Sequence, residues 1–287
     1  MNSPKRIILG GAGTRILCYV GALKALETYY HQFKEFVGVS AGSIICMLMA
    51  LGLNINDIET AILSYNFRDM FHSDPFSPDR IIDATELWGL DDGISFKRNV
   101  AIFLESHGFS AKLTFEQLTR LTKKHLRILA CDIEEAKYYE FSAKKTPKTY
   151  IIDAIYASCA IPIYFQPARI NNKILVDGGL IHSFPLTYFT KKEIDESIGI
   201  QIISHIGKQV PTDSLEYFWR ICSLILHPPA PYKVPSNIYS ISLDSFFLNW
   251  DLGPEEKKNL VQEGYAQVKK QLSNIVQLPH IHRRHSI

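Results

Sequence analysis

Three short stretches carry residue types able to do covalent chemistry. Gly38-Val39-Ser40-Ala41-Gly42 fits the pattern GxSxG. A serine there belongs at a sharp strand-to-helix turn, its hydroxyl projecting into a cleft. The glycines Gly38 and Gly42 remove Cβ atoms that would clash in such a turn. The helix N-terminus beneath supplies N–H groups and positive potential for an oxyanion. The plainer reading is a serine that caps a helix after a glycine turn. The second stretch, Gly10-Gly11-Ala12-Gly13-Thr14-Arg15, lets backbone approach a charged group closely. It reads as a phosphate cradle, as an oxyanion hole for a nucleophile elsewhere, or as a tight turn alone. No GK[ST] follows it and Ile16 interrupts GxGxxG, so neither a Walker A loop nor a dinucleotide fingerprint is met. The third stretch, Asp177-Gly178-Gly179, puts a carboxylate at a strand end, where the sites of α/β sheets gather. By itself it also reads as a DG hairpin turn.

The flanking sequence has elements to position all three. Arg6–Gly10 reads as a short buried strand, and Tyr19–Tyr30 follows with helical spacing. Phe36–Val39 is a second strand leading into Ser40. Ala41–Leu53 is apolar nearly all round, as a buried helix would be. This alternation predicts α/β architecture with at least partly parallel strands. Residues 54–125 read as helices and loops, an insertion over one face, with a Pro/Asp/Ser-rich break at 72–79. Leu126–Ile133 and Tyr138–Ser142 read as paired strands, Lys173–Val176 as a strand running into Asp177, and Ser197–Ser204 as another. Residues 227–235 are Pro-rich and read as extended loop. Pro254–Val276 reads as a helix with Pro254 in its first position, acidic residues at its positive end, and Val261, Tyr265, Val268, Leu272 and Ile275 on its core face. No repeat or linker divides the chain, so one domain is expected over 1–287, its core about 5–270, with a short basic tail.

Bulk properties narrow the classes. The 287 residues are 46% hydrophobic and 21% charged, enough for one large core and unlike a disordered chain. A net charge of +2 argues for no nucleic-acid partner. The five cysteines are dispersed without a CxxC pair, which suits buried small hydrophobes in a reducing compartment rather than disulfides or zinc. Only Ile7, Ile8 and Leu9 precede the first glycine, so no Sec-type signal is visible, and the apolar run Ile44–Leu51 falls short of the roughly 20 residues that span a bilayer. A cytoplasmic protein with at most peripheral membrane contact is expected. Ile221–Leu226, near Trp219, reads as a buried helix or an interfacial surface. The ten histidines read as structural or surface residues, and His280, His282 and His285 as a solvated tail.

Taken together and in order, these stretches resemble the patatin-like phospholipase family. The glycine-rich loop is similar to its oxyanion loop GGGxRG, Ser40 to its GxSxG nucleophile, and Asp177-Gly178-Gly179 to its D-G-G/A block. Ala157-Ser158-Cys159-Ala160-Ile161-Pro162, followed by Phe165, resembles the family's ASxAxP…F block, and residues 255–265 its closing helix. The resemblance spans roughly residues 5–270. It implies a three-layer α/β fold with a mostly parallel sheet flanked by helices, and a Ser–Asp dyad of Ser40 and Asp177. It also implies an oxyanion hole over Gly11, Ala12, Gly13, Thr14 and Arg15, with no metal and no cofactor. Arg15 would either support the loop or meet a lipid phosphate. The expected activity is hydrolysis of phospholipid or other acyl-lipid esters at a membrane surface, of phospholipase A or lysophospholipase type. A protein activator and delivery into a host cell stay open.

Ala12, Ile16 and Ser183 depart from the family pattern GGGxRG and DGGxxxN. If position 16 required positive φ, isoleucine there would be strained. Ile16 and Ser183 support an alternative, a non-catalytic lipid-binding scaffold, and acyl transfer is a further one. A standard α/β-hydrolase with His205 or His227 as base is a third, although too few strands precede Ser40 for it.

Overall fold

The computed structural model describes residues 4–73, 77, 86, 88–204, 217, 221, 234–244 and 247–276. Short apolar runs stopped by glycine or by a polar turn make the sheet. Strand β1 (Arg6–Leu9) lies parallel to β2 (Glu35–Val39), pairing Arg6 with Glu35 and Leu9 with Gly38. On the other side of β1 lie β9 (Ser197–Ser204) and then β10 (Ile238–Leu243), both parallel. Next to β2 comes β4 (His125–Asp132), again parallel. The far part is antiparallel: β5 (Lys137–Ser142) and β8 (Lys173–Val176) pair with β4, and β7 (Ala168–Ile170) pairs with β8. The sheet is therefore mostly parallel, as expected for α/β architecture. The polar turn between β4 and β5 is where the sequence put it. β7 and β10 were not read from the sequence.

Alternation along the strands divides the core. Ile7, Leu9 and Phe36 face a large cluster formed with the helices, whereas Ile8, Val37, Val39 and Leu129 face Phe184 and Phe189. On the first face lie α1 (Leu17–Ala25), the single turn α2 (Glu27–Tyr30), α3 (Ala41–Leu51) and α7 (Ile151–Cys159). The helix expected at Tyr19–Tyr30 is thus two helices broken at Leu26. α3 stops at Gly52, whose φ of 105° makes a left-handed cap. On the second face runs the segment carrying α8 (Lys191–Asp195).

The insertion holds the expected helices, α4 (Ile55–Ser64), α5 (Ile94–Ser106) and α6 (Phe115–Thr122). It also holds a strand not expected, β3 (Gly89–Asp91), parallel to β6 (Ile163–Phe165). Of the break at 72–79, residues 74–76, 78 and 79 lie outside the described residues, as do 227–233 and the C-terminal histidines. Within 221–226 only Ile221 is described, and it is exposed.

The last helix, α9 (Pro254–Val276), has the predicted bounds, but its contact stripe differs. Val261 and Val268 are buried, whereas Tyr265 is 42% exposed. A Cβ on Gly264 would stand 2.0 Å from the Cys18 carbonyl oxygen, and one on Gly21 would stand 1.9 Å from that of Val261. Backbone-to-backbone contact between α1 and α9 therefore runs along Val261 and Gly264. Tyr265 sits one step round the helix, so glycine rather than tyrosine carries the seam.

Candidate active site

Ser40 occupies the turn between β2 and α3 with φ 51° and ψ −131°. Such backbone costs a non-glycine residue on the order of 1–3 kcal/mol, and it throws the side chain out of the strand. The flanking glycines are required by contact. A Cβ on Gly38 would lie 2.3 Å from Ser43 Cα, and one on Gly42 would lie 2.4 Å from the Gly10 carbonyl oxygen.

Asp177 reaches Ser40 across 137 residues, and the sheet register explains how. β2 ends with Val39 opposite Leu129, and β8 ends with Val176 opposite Cys131. Both lie on the edge of β4 that faces away from β5, running toward each other. Their next residues, Ser40 and Asp177, meet at Ala130. The Ser40 hydroxyl donates to Asp177 Oδ2 at 2.5 Å, and both residues are nearly fully buried. Oδ1 accepts the Gly179 N–H at 2.7 Å, within a 3-10 turn over Gly178–Leu180 rather than the hairpin that the DG pair allows. Asp177 N–H donates to the Ala160 carbonyl at 2.9 Å. Burial raises the carboxyl pKa from 3.8 to about 6, against the lowering effect of bonds from Ser40 and Gly179. A carboxylate so placed can accept a proton near neutrality.

The loop after β1 lies beside this pair. A Cβ on Gly11 would be 3.7 Å from Ser40 Cβ. Four of its amides are already used: Gly10 donates to Ile200 O at 3.2 Å, Gly11 to Ser183 O at 2.7 Å, Thr14 to Phe247 O at 2.9 Å, and Arg15 to Ala12 O at 3.2 Å. Among the described residues, the amides of Ala12 and Gly13 have no acceptor. Gly13 takes the positive φ of 58°, whereas Ile16 is helical at φ −47° and Ala12 lies at φ −139°. The strain foreseen at Ile16 does not arise; its side chain is a buried core residue.

Arg15 is also buried, its Nε donating to Ala12 O at 3.3 Å, and burial lowers its pKa to about 10. This bond fits the first of its two expected roles, support of the loop. The Tyr19 hydroxyl adds a bond to Gly10 O at 2.8 Å.

Several contributors were not read from the sequence. Phe247 and Asn249 hold Thr14. Ser183, noted as a departure, acts through its carbonyl, which any residue could supply. Ser158 accepts the Ser40 N–H at 2.8 Å; the ASCAIP block was the available signal. His205 and His227 lie outside the described residues. A separate cleft of about 430 Å³, lined in part by Trp88, Tyr156 and Arg169, includes neither Ser40 nor Asp177. No described helix is long and apolar enough to cross a membrane.

Comparison with known proteins bears on the family and the fold. Probable lipid hydrolase 463L of Invertebrate iridescent virus 6 is 28% identical over 197 residues, 67% of either chain. Uncharacterized protein R571 of Acanthamoeba polyphaga mimivirus is 24% identical over 289 residues, covering 95% of both. VipD from Legionella pneumophila shares the fold with a TM-score of 0.66 at 16% identity, over 95% of this chain and 67% of that one. Human GIVD cytosolic phospholipase A2 does so with 0.51 at 12%, over 96% and 60%. Residues 7–190, from the first strand past Asp177, match the patatin-like phospholipase family, and the chain belongs to it.

Proposed function

We propose that the protein is a lipid acyl hydrolase of phospholipase A or lysophospholipase type, working through Ser40 and Asp177. The observation that carries this reading is the 2.5 Å hydrogen bond between two buried side chains in a family of lipid acyl hydrolases. Ser40 Oγ attacks the ester carbonyl while its proton passes to Asp177. The amides of Ala12 and Gly13, which have no acceptor among the described residues, stabilise the tetrahedral oxyanion. Collapse breaks the ester bond, and the proton on Asp177 goes to the departing alkoxide. Water then attacks the acyl-serine, giving a proton to Asp177, and the fatty acid leaves as Ser40 regains its hydrogen. No histidine is needed, because burial has already moved the aspartate toward the working pH.

The substrate is a phospholipid or other acyl lipid presented at a membrane surface. The scaffold alternative loses its main support, since Ile16 imposes no strain on the loop. The test is fatty-acid release from mixed phospholipid vesicles in excess EDTA, with wild type, Ser40→Ala and Asp177→Asn. Wild type is expected to release fatty acid and both folded variants to lose that activity. A silent wild type is repeated with cell extract to supply a protein activator. Silence there too, with no labelling of Ser40 by a fluorophosphonate, overturns the reading.

A further inference from the structure

The backbone of Ser40 is held as closely as its side chain. Its N–H donates to Ser158 Oγ at 2.8 Å, and its carbonyl accepts from Ser43 Oγ at 2.6 Å. Ser158 and Ser43 are both completely buried. The Ser158 hydroxyl in turn donates to the Leu129 carbonyl at 2.7 Å. Leu129 pairs with Val39, so this hydroxyl ties the turn to the strand on which Ser40 and Asp177 converge.

A buried N–H must have an acceptor. At Ser40 the ladder supplies none, because β2 has ended. Left-handed backbone at a serine persists only where its surroundings over-determine it. Without the Ser158 hydroxyl, the peptide before Ser40 would gain by rotating toward another acceptor. That rotation would carry Oγ away from Asp177.

We infer that Ser158 is a positioning residue for the nucleophile, its hydroxyl fixing the left-handed backbone from which Ser40 reaches Asp177. This rests on the reading of Ser40 and Asp177 as the reacting pair. It assigns a task to the ASCAIP block that the chemistry of the dyad alone does not. Ser43 is the complementary clamp on the carbonyl side.

The test is single-turnover labelling of Ser40 by a fluorophosphonate, followed across the pH range in which Asp177 ionises. The proteins are wild type, Ser158→Ala, Ser158→Cys and Ser158→Thr. Wild type must label; if it does not, the dyad reading has failed, not the role of Ser158. The Ala and Cys variants are expected to label to the same final extent, with plateau rates roughly 10- to 100-fold lower. Their pH midpoint should stay where the wild type has it. Thr keeps the hydroxyl and should recover most of the rate. Should the Ala variant fail to fold, Cys carries the comparison, being close in volume with a far weaker acceptor. Wild-type rates in Ala and Cys overturn the inference. So does a reduced extent at an unchanged rate, which marks a folding role. A moved midpoint with the plateau intact also overturns it, since Ser158 would then act on the charge of Asp177.

Discussion

The two ends of the same strands treat a buried carboxylate in opposite ways. At the C-terminal ends of β2 and β8, Asp177 is buried with a serine and an amide and, among the described residues, no cation, and its pKa rises to about 6. At the N-terminal ends of β1, β2 and β4, Glu35 lies 2.7 Å from both Arg6 and Arg127, and Arg127 reaches Glu140 at 3.0 Å. There burial also works to raise the glutamates, but bonds and charge outweigh it. Arg6 and Arg127 act on Glu35, Tyr188 and Arg127 on Glu140, and both carboxyls end below their usual value. Phe189 lies beneath the two guanidinium groups and walls them from water. Glu140 is as buried as Asp177, so between these two the difference is one of pairing, not of depth. A cation turns a buried carboxylate into structure, and its absence leaves one that can take a proton.

The largest effect expected from breaking this contrast is on catalysis. Ser40→Ala or Asp177→Asn should lower fatty-acid release on the order of 10⁴-fold, read in the vesicle assay. Wild-type activity should fall as pH drops below about 6, because the base must be ionised. Next comes the structural end. Arg127→Ala removes one of two cations from Glu35 and from Glu140, leaving Arg6 and Lys145, and should cost about 1–3 kcal/mol in denaturant unfolding at neutral pH. That deficit should shrink in acid. Both carboxyls have lowered pKa values, so their contribution is complete above the ordinary glutamate range and is lost as pH falls through the folded value. Asp177→Asn should have the opposite stability sign. The raised pKa means that ionisation of Asp177 weakens the fold as pH rises from 3.8 past 6. An asparagine avoids this, so the inactive variant should melt higher at alkaline pH, by at most about 3 kcal/mol of stability. Smallest is Tyr188→Phe, which removes the 2.5 Å bond to Glu140 and should cost about 1 kcal/mol in the same unfolding measurement.

What was legible in the sequence follows the physics of each segment. β1, β2, β4, β5, β8 and β9 show as apolar runs with turn residues at their ends, and α3 as an apolar stretch behind a GxSxG turn. β3, β6 and β7 have three residues each, too few for a period of two to register. β10 follows the Pro-rich stretch 227–235 and was not read as an element. Ser40 and Asp177 stood out because each ends a strand before glycine. Their meeting was not legible from spacing, since it depends on two strands sharing one edge of a third. Ser158 was hidden for a different reason. A serine inside an apolar helix looks the same whether its hydroxyl caps the helix's own backbone or, as here, serves another strand. Whether Ile16 is strained was not legible, because a family pattern gives residue types but not dihedral angles; the residue that takes positive φ is Gly13.

The end-to-end meeting of β2 and β8 at Ala130 also governs which changes the chain can absorb. Loops between residue 40 and residue 177 that touch neither this edge nor the Ser40 turn can lengthen or shorten, because the pair is gauged by one strand rather than by the path around it. The insertion of 54–125 illustrates that latitude. The span Leu129–Cys131 has none. One residue added or lost there would turn one of the two arriving ends to the opposite face of the sheet, and the serine and the aspartate would point apart.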